Sequence, residues 1–251
     1  MEESLNNANA TTPGTVFVGT SGWAYASWKP GFYPPKLSSK RFLEHFATRL
    51  NTVEVNYTFR ALPTAQMLSN WMGATGSGFR FSFKAPQRIT HMLRLRNCEA
   101  AAEDFITALG PVIAAGRIGA VLFQLPPNFK ADAARLDEFL THASRSRQPL
   151  AFEFRHESWF TDEVYATLRR HNAALCVAES DELSTPEIRT ASFACFRLRK
   201  SNYSECELLA VAAHLKSEGA NGDVFAYFKH EDEPTGALRA EAVLKQLAAA
   251  R

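Results

Sequence analysis

Eight short apolar segments, separated mainly by segments of helical periodicity, are the feature that most constrains the fold of this 251-residue chain. Several segments are apolar on both faces, as in residues 118–124 and 173–178. Strands that are buried on both faces and joined by helices are typical of parallel sheets. The eight segments are residues 16–20, 52–56, 79–84, 118–124, 150–155, 173–178, 193–199 and 223–228.

This alternation predicts an α/β fold, a TIM-barrel-like (β/α)8 single domain over residues 14–251, because eight such units in about 250 residues suit a closed barrel. An open doubly wound sheet is the alternative, but no GxGxxG motif follows the first segment. Residues 1–13 are mostly polar, and we expect them to form a disordered N-terminal tail.

The bulk composition restricts location and partners. A net charge of +2 does not by itself indicate a nucleic-acid or membrane partner. The longest apolar runs are much shorter than a membrane span, and the N-terminus lacks the basic and apolar regions of a signal peptide. The four cysteines show no zinc-type spacing and are typical of a reducing compartment. We therefore expect a cytoplasmic protein; no cofactor or protein partner can be inferred.

Polar side chains gather at the predicted carboxyl ends of the strands, where barrels of this type place their sites. Unpaired polar groups would be costly among so many Val, Leu and Phe residues, so these side chains form a candidate site. The alternative is a purely structural ion-pair network, in which Glu54 and Glu153 pair with Lys84, Arg155 and Arg197. The candidate residues are Gly19, Ser21, Glu54, Asn56, Lys84, Gln124, Glu153, Arg155, His156 and Arg197.

Two loops add further candidates. Residues 19–23, Gly-Thr-Ser-Gly-Trp, combine glycines and hydroxyls at a strand end, which suits either an anion-binding turn or merely a tight βα turn. Trp23 opens an aromatic loop over residues 23–33, which would act as a packed lid or as a stacking surface for a base or sugar ring. Trp159 follows His156 closely and is a further candidate ligand contact.

Two other kinds of site are less well supported by the residues. A metal could use Glu54, Glu153, His156 and Glu179, but the nearby cations would repel it and no HExxH-like motif is present, so we predict no metal site. Glu54 and Glu153 could form a glycosidase pair only if their carboxyl groups lay roughly 5–10 Å apart, which the sequence does not specify.

Several motifs together resemble one family, the domain of unknown function 72 (YecE-like) family, in order over residues 16–240. They are Gly19-Thr-Ser-Gly-Trp23, Phe32-Tyr-Pro34, Asn51-Thr-Val-Glu-Val-Asn56, Phe83-Lys-Ala-Pro86, Phe123-Gln-Leu-Pro-Pro127 and Glu153-Phe-Arg-His156 with Trp159. The resemblance implies a TIM-barrel-like fold and no agreed activity.

The C-terminal third departs from the family pattern. Relatives tend to read Arg-Leu-His-Gly where this chain has Arg197-Leu-Arg-Lys200, and Tyr-Phe-Asn-Asn-Asp where it has Tyr227-Phe-Lys-His-Glu-Asp232. These changes remove a His and an Asn from the rim of the barrel and add positive charge.

The residues support two main hypotheses. In the first, a phosphoester-type hydrolase binds a small anionic ligand, a nucleotide or nucleic acid through Lys84, Arg155 and Arg197, with Glu54 or Glu153 as general base and His156 as acid–base partner. In the second, the same mouth only binds its ligand. Glycoside hydrolysis is a third hypothesis. In all three, the site lies at the barrel mouth.

Overall fold

The predicted apolar segments form eight parallel strands, and consecutive strands are neighbours around a closed barrel in which β8 pairs with β1. The computed structural model describes residues 13–179, 184–229 and 233–249. The strands are β1 (Val16–Ser21), β2 (Thr52–Val55), β3 (Arg80–Lys84), β4 (Ile118–Gln124), β5 (Leu150–Glu153), β6 (Ala174–Glu179), β7 (Ala194–Leu198) and β8 (Val224–Phe228). The predicted TIM-barrel-like fold is confirmed.

Helices follow most of the strands and pack around the barrel. In the described residues they are α1 (Phe42–Ala47), α2 (Ala65–Gly73), α3 (Glu99–Ala108), α4 (Gly110–Ala114), α5 (Ala133–Ala143), α6 (Asp162–Arg170), α7 (Glu205–Gly219) and α8 (Thr235–Ala249). Side chains of Thr64, Asp132, Thr161 and Ser204 accept hydrogen bonds from first-turn backbone N–H groups and so determine where four of them begin.

Three connections depart from a simple alternation of one helix after each strand. The Ser38 side chain makes no cap bond, and a 3-10 turn at Ser39–Arg41 precedes α1. Two helices, α3 and α4, follow β3, and Pro111 lies in the first turn of α4, where its missing N–H costs nothing. The described part of the β6–β7 connection, residues 184–193, contains no helix.

Two apolar layers fill the molecule. The larger layer lies between the strands and the helices and includes Phe152 and Phe154, as their position on one strand face predicts. The smaller layer fills the barrel itself, where Phe17 stacks on Phe225 with ring centroids 5.1 Å apart. The barrel is therefore a packed core, and space for a ligand begins at its mouth.

The remaining sequence expectations concern the termini, the membrane and the cysteines. No helix within the described residues is long and apolar enough to cross a membrane. The four cysteines are free, and Cys176 and Cys195 are buried in the barrel core, as their apolar surroundings predict. The predicted tail, residues 1–13, lies outside the described residues apart from Pro13, and the cytoplasmic location stays a prediction.

Candidate functional site

The carboxyl ends of five strands bring five of the predicted polar side chains into one buried cluster. Side chains alternate along a strand, so those that share parity with the barrel-core residues point inward. At the last inward position of five strands, the apolar core is followed by a side chain that can form hydrogen bonds. The cluster consists of Ser21 on β1, Glu54 on β2, Gln124 on β4, Glu153 on β5 and Arg197 on β7.

Arg197 is the centre of this cluster and pairs with both carboxylates. Its Nη2 donates to Glu54 Oε1 at 2.7 Å, and its Nη1 donates to Glu153 Oε2 at 2.5 Å. All three side chains are almost completely buried. Ser21 Oγ also donates to Glu54 Oε1 at 2.9 Å. The guanidinium on β7 therefore bridges the ends of β2 and β5, which lie on opposite sides of β7 around the closed barrel.

Glu153 has the more crowded surroundings of the two glutamates. The Gln124 amide donates to both of its carboxylate oxygens, at 2.9 and 3.0 Å. Arg155 Nε and Arg199 Nη1 approach Glu153 Oε1 at 4.0 and 3.9 Å. Including Arg197, three guanidiniums lie within 4.0 Å of one carboxylate.

The charges around them keep Glu153 and Arg197 ionised. Burial raises the pKa of Glu153, but the charges of Arg197 and Arg199, with the hydrogen bonds from Arg197 and Gln124, outweigh it and leave the pKa below its usual range. Burial likewise lowers the pKa of Arg197, and the two glutamates reverse this, so its pKa lies above its ordinary value. Glu153 and Arg197 therefore form an ion pair at neutral pH.

The hydrogen bonds of the cluster are not complete. Among the described residues, neither Glu54 Oε2 nor Arg197 Nε has a hydrogen-bond partner, although both atoms are buried. Buried polar atoms in proteins are almost always paired. An acceptor and a donor thus remain available at the point where the barrel opens.

Lys84 lies at the same mouth but outside the ion-pair cluster. Its Nζ lies 4.3 Å from the centre of the Phe59 ring, a cation–π contact. No carboxylate of the described residues lies within ion-pair distance of it. Burial, reinforced by the positive charge of Arg197, lowers the pKa of Lys84 to about 8. The structural network that the sequence suggested therefore forms without Lys84.

His91 contacts the same Phe59 ring as Lys84. Its ring meets the Phe59 ring edge-on at 5.1 Å, and its Nδ1 lies 2.9 Å from Thr90 Oγ1. Burial lowers the pKa of His91, and the charges of Lys84, Arg155 and Arg94 lower it further. The imidazole is thus surrounded by cations and favours its neutral form.

Two predicted site residues have structural roles instead. Trp159 is completely buried, stacks on Phe154 at 4.6 Å and donates its indole N–H to the Phe129 carbonyl at 2.6 Å, so it does not line the mouth. Gly19 lies inside β1 against β2, where a Cβ would meet the Thr52 carbonyl oxygen at 1.9 Å. Close strand packing therefore explains this glycine, and the expectation of a ligand contact at either residue is corrected.

The turn after β1 is closed by its own hydrogen bonds. The Gly22 N–H donates to the Glu54 carbonyl at 2.9 Å, and Thr20 Oγ1 donates to the Gly22 carbonyl at 2.7 Å. Gly22 has a φ of +91°, which favours glycine. The tight-turn interpretation accounts for these contacts, while Ser21 contributes its hydroxyl to the cluster.

His156, expected as an acid–base partner, begins a 3-10 turn. Its Nδ1 accepts a hydrogen bond from the Ser158 N–H at 3.2 Å, and it makes no contact with Glu54 or Glu153 among the hydrogen bonds and ion pairs of the described residues. A ring nitrogen used in this way fixes the imidazole as a cap, so the structure does not assemble the predicted acid–base pair.

The aromatic loop is mostly a packed layer. Trp28, Phe32 and Tyr33 are buried, and Tyr33 stacks on Phe42 with ring centroids 4.1 Å apart. Trp23 is only partly buried and meets Trp71 edge-on at 5.3 Å. Asn56, at the end of β2, is also partly exposed. Trp23 and Asn56 thus stay candidates for ligand contact at the rim.

Sequence reasoning missed Arg199 as a site residue. It lies two residues after Arg197 and so points to the same side of β7, and it is about one quarter exposed. Burial and the charge of Arg197 lower its pKa. The period of two along the strand was the signal that would have identified it.

No cluster of three or more His, Cys, Asp or Glu side chains within the described ranges, which omit residues 1–12, 180–183, 230–232 and 250–251, is arranged to hold a metal ion. Residues 230–232, which belong to the segment that departs from the family pattern, lie outside the described residues.

Comparison with solved structures relates this fold to other barrels. A DUF72 family protein from Thermotoga maritima MSB8 superposes with a TM-score of 0.83 and 27% identity, covering 93% of this chain and 99% of that one. A DUF72 family protein from Enterococcus faecalis V583 gives 0.78 at 17% identity, covering 93% and 96%. A D-psicose 3-epimerase from Clostridium cellulolyticum H10 gives 0.55 at 10% identity, covering 92% and 98%, a likeness of fold alone.

Sequence comparison gives the same relationship. UPF0759 protein YecE of Escherichia coli K12 is 34% identical over 114 residues, which are 45% of this chain and 39% of that protein. UPF0759 protein YunF of Bacillus subtilis 168 is 30% identical over 157 residues, 60% and 54% of the two chains. The matches span about half of these relatives or less. The model of the family described as "Protein of unknown function DUF72" matches residues 17–251, and the chain therefore belongs to the DUF72 family.

Proposed function

We propose that the mouth of the barrel binds a small anionic ligand that carries a phosphate or carboxylate group. The observation behind this proposal is the set of three guanidiniums within 4.0 Å of Glu153. Arg155, Arg197 and Arg199 carry three positive charges, and Glu54 and Glu153 carry two negative ones. Lys84 adds further positive charge in its protonated form, so the mouth retains an excess of positive charge.

The two outer arginines have donors to spare. No side-chain hydrogen bond of Arg155 or Arg199 is found within the described residues, and their 3.9–4.0 Å approaches to Glu153 are longer than hydrogen bonds. Both side chains are partly exposed, Arg155 to 44%. Partly exposed guanidiniums with unused N–H groups are suited to bidentate binding of phosphate or carboxylate.

The geometry favours binding over the proposed hydrolysis. A general base or acid at Glu54 or Glu153 would have to take up a proton, which would weaken its ion pair with Arg197. A glycosidase would also need one carboxyl group with a raised pKa, whereas the pKa of Glu153 is lowered. We therefore carry forward only the binding part of the hydrolase hypothesis and do not propose glycoside hydrolysis.

Calorimetric titration with pyrophosphate and with citrate at fixed ionic strength tests the proposal. We expect binding that weakens about tenfold or more in Arg155→Ala and in Arg199→Ala, because a hydrogen bond to a charged group contributes roughly 1.5–3 kcal/mol. Arg169→Ala is the matched control, since Arg169 is exposed near the end of α6, away from the mouth.

Absence of binding by the native protein, or equal weakening in all three variants, would contradict the proposal. A short single-stranded oligonucleotide provides the nucleic-acid arm: binding that falls steeply with salt and is lost in Arg155→Ala would extend the ligand class to nucleic acid.

A further inference from the structure

Among the described residues, the Lys84 ammonium has no carboxylate or hydrogen-bond partner to explain why a lysine lies at this position. It is inward-facing at the end of β3, packs on the Phe59 ring, and makes no ion pair or hydrogen bond within the described part of the chain. A partly buried ammonium without a carboxylate partner is energetically unfavourable. A methionine or leucine would fill the same space at lower cost, so the amine itself needs an explanation.

The charges around Lys84 favour the neutral amine. Arg197 and Arg199 repel its positive charge, whereas Glu54 and Glu153 attract it but are engaged by Arg197. His91, on the neighbouring π-helical turn Arg88–Met92, also favours its neutral form. With a pKa of about 8, roughly one tenth of Lys84 is unprotonated at pH 7, far more than for a lysine with the ordinary pKa of about 10.4. A neutral amine is the nucleophile that forms imines with carbonyl compounds.

We propose that the Lys84 amine forms an imine with an anionic aldehyde or ketone whose phosphate or carboxylate group is held by Arg155 and Arg199. This inference rests on the proposed anion binding and adds the carbonyl group to the ligand class. It also assigns Lys84 a covalent role in place of the phosphate contact that the sequence indicated.

The reaction is a balanced condensation. The Nζ lone pair attacks the carbonyl carbon, a C–N bond forms, and the carbonyl oxygen becomes a hydroxyl group. The two hydrogens of the neutral amine then leave with that oxygen as water, and a C=N bond replaces the C=O bond. No oxidant, reductant or metal is consumed. The positively charged guanidiniums nearby stabilise the anionic part of the ligand throughout.

Reductive trapping tests this directly in the native protein. Pyridoxal 5′-phosphate, glyoxylate and uncharged pyridoxal are each incubated with the protein and sodium cyanoborohydride, which reduces an imine to a stable secondary amine. Peptide mapping by mass spectrometry then measures the rate of modification at each lysine. The series compares a phosphate-bearing, a carboxylate-bearing and an uncharged carbonyl compound.

We expect Lys84 to be modified at least tenfold faster than Lys245 at pH 7, because an ordinary lysine has a pKa of about 10.4 and is almost wholly protonated. Lys245 is the internal reference, since its side chain is 72% exposed on α8. The two anionic compounds should exceed pyridoxal in rate at Lys84, and pyrophosphate should slow their reaction. Lys84→Arg, which keeps the charge, should lose this fast modification, and Lys245→Arg should keep it.

The outcomes separate the two proposals. Modification spread over the surface lysines with Lys84 no faster than Lys245 would overturn the imine, while anion binding in the titration would leave the proposed function standing. Equal rates with pyridoxal and with the anionic compounds would overturn the guidance by Arg155 and Arg199. Loss of both anion binding and fast modification would contradict both proposals.

Discussion

Arg197 holds the two buried carboxylates of the mouth, and each of them depends on it. Glu54 and Glu153 are buried away from solvent. A buried carboxylate without a neighbouring cation is strongly unfavourable. Gln124 and Ser21 contribute hydrogen bonds to the glutamates but no charge. The same guanidinium therefore decides both the stability of the barrel end and the charge left for a ligand.

Arg197→Met should lower the free energy of unfolding by about 3–5 kcal/mol at pH 7, because it removes the cation from two buried carboxylates. Urea denaturation followed by circular dichroism measures this. Arg169→Met, at an exposed helical position, should change stability by no more than about 0.5 kcal/mol. A loss below about 1 kcal/mol for Arg197→Met would show that the carboxylates are stabilised by other groups.

The lowered pKa of Glu153 also predicts a pH dependence of stability. A carboxyl group whose pKa is lower in the folded than in the unfolded chain stabilises the fold above its unfolded pKa of about 4.3, and this contribution disappears as the pH falls through the folded pKa.

Native protein and Glu153→Gln should therefore differ most in stability at pH 6–7 and converge as the pH falls below about 4. Urea denaturation of both proteins at several values between pH 7 and pH 3 measures the gap. A gap that does not change with pH would mean that Glu153 has the same pKa in the folded and the unfolded chain.

At the scale of the elements, β1 and β2 approach so closely that one position between them admits no side chain. A Cβ at Gly19 would overlap the Thr52 carbonyl oxygen, and Thr52 Cγ2 would lie 3.2 Å from it. Thr52 cannot move away freely, because it pairs with β3 and hydrogen-bonds to the Tyr227 hydroxyl.

Gly19→Ala should consequently destabilise the protein by at least ~2 kcal/mol, as overpacking in a rigid core does. Gly73→Ala is the matched control, because a Cβ at Gly73, at the end of α2, has nothing within 4 Å. That variant should be neutral or slightly stabilising, given the helix propensity of alanine. Equal melting temperatures for the two variants would show that β1 can move away from β2.

At the scale of the whole molecule, closure makes the strands mutually dependent. Every strand has a neighbour on both sides, and the pairing of β1 with β8 completes the ring. The apolar layer inside the barrel contains side chains from strands all around the ring. Exposing one side of this layer to solvent would therefore remove packing contacts from the other strands as well. Local unfolding of one βα unit would open two strand ladders at once.

Unfolding should therefore be cooperative around the ring. In protein labelled with 5-fluorotryptophan, the 19F signals of Trp28, which follows β1, and Trp159, which follows β5, should disappear at the same urea concentration. Both indoles are fully buried, so both signals report on packing. Midpoints that differ by more than the error of the titration would show that the two sides of the barrel unfold separately.

The eight strands, and the side to which Glu54, Glu153 and Arg197 point, follow from local alternation of apolar and polar residues. The sequence therefore determined the barrel and the set of polar side chains at its mouth. The same alternation places Arg199, which lies just beyond the end of β7, on the side of Arg197.

Pairing within that set was decided by the tertiary structure. Arg197 binds both glutamates, Lys84 rests on Phe59, Trp159 enters the core and His156 caps a turn. These outcomes depend on which strand ends become neighbours across the mouth and on how far each long side chain reaches. Periodicity specifies the face of a strand on which a residue lies, whereas distances across a closed barrel exist only once the ring has formed.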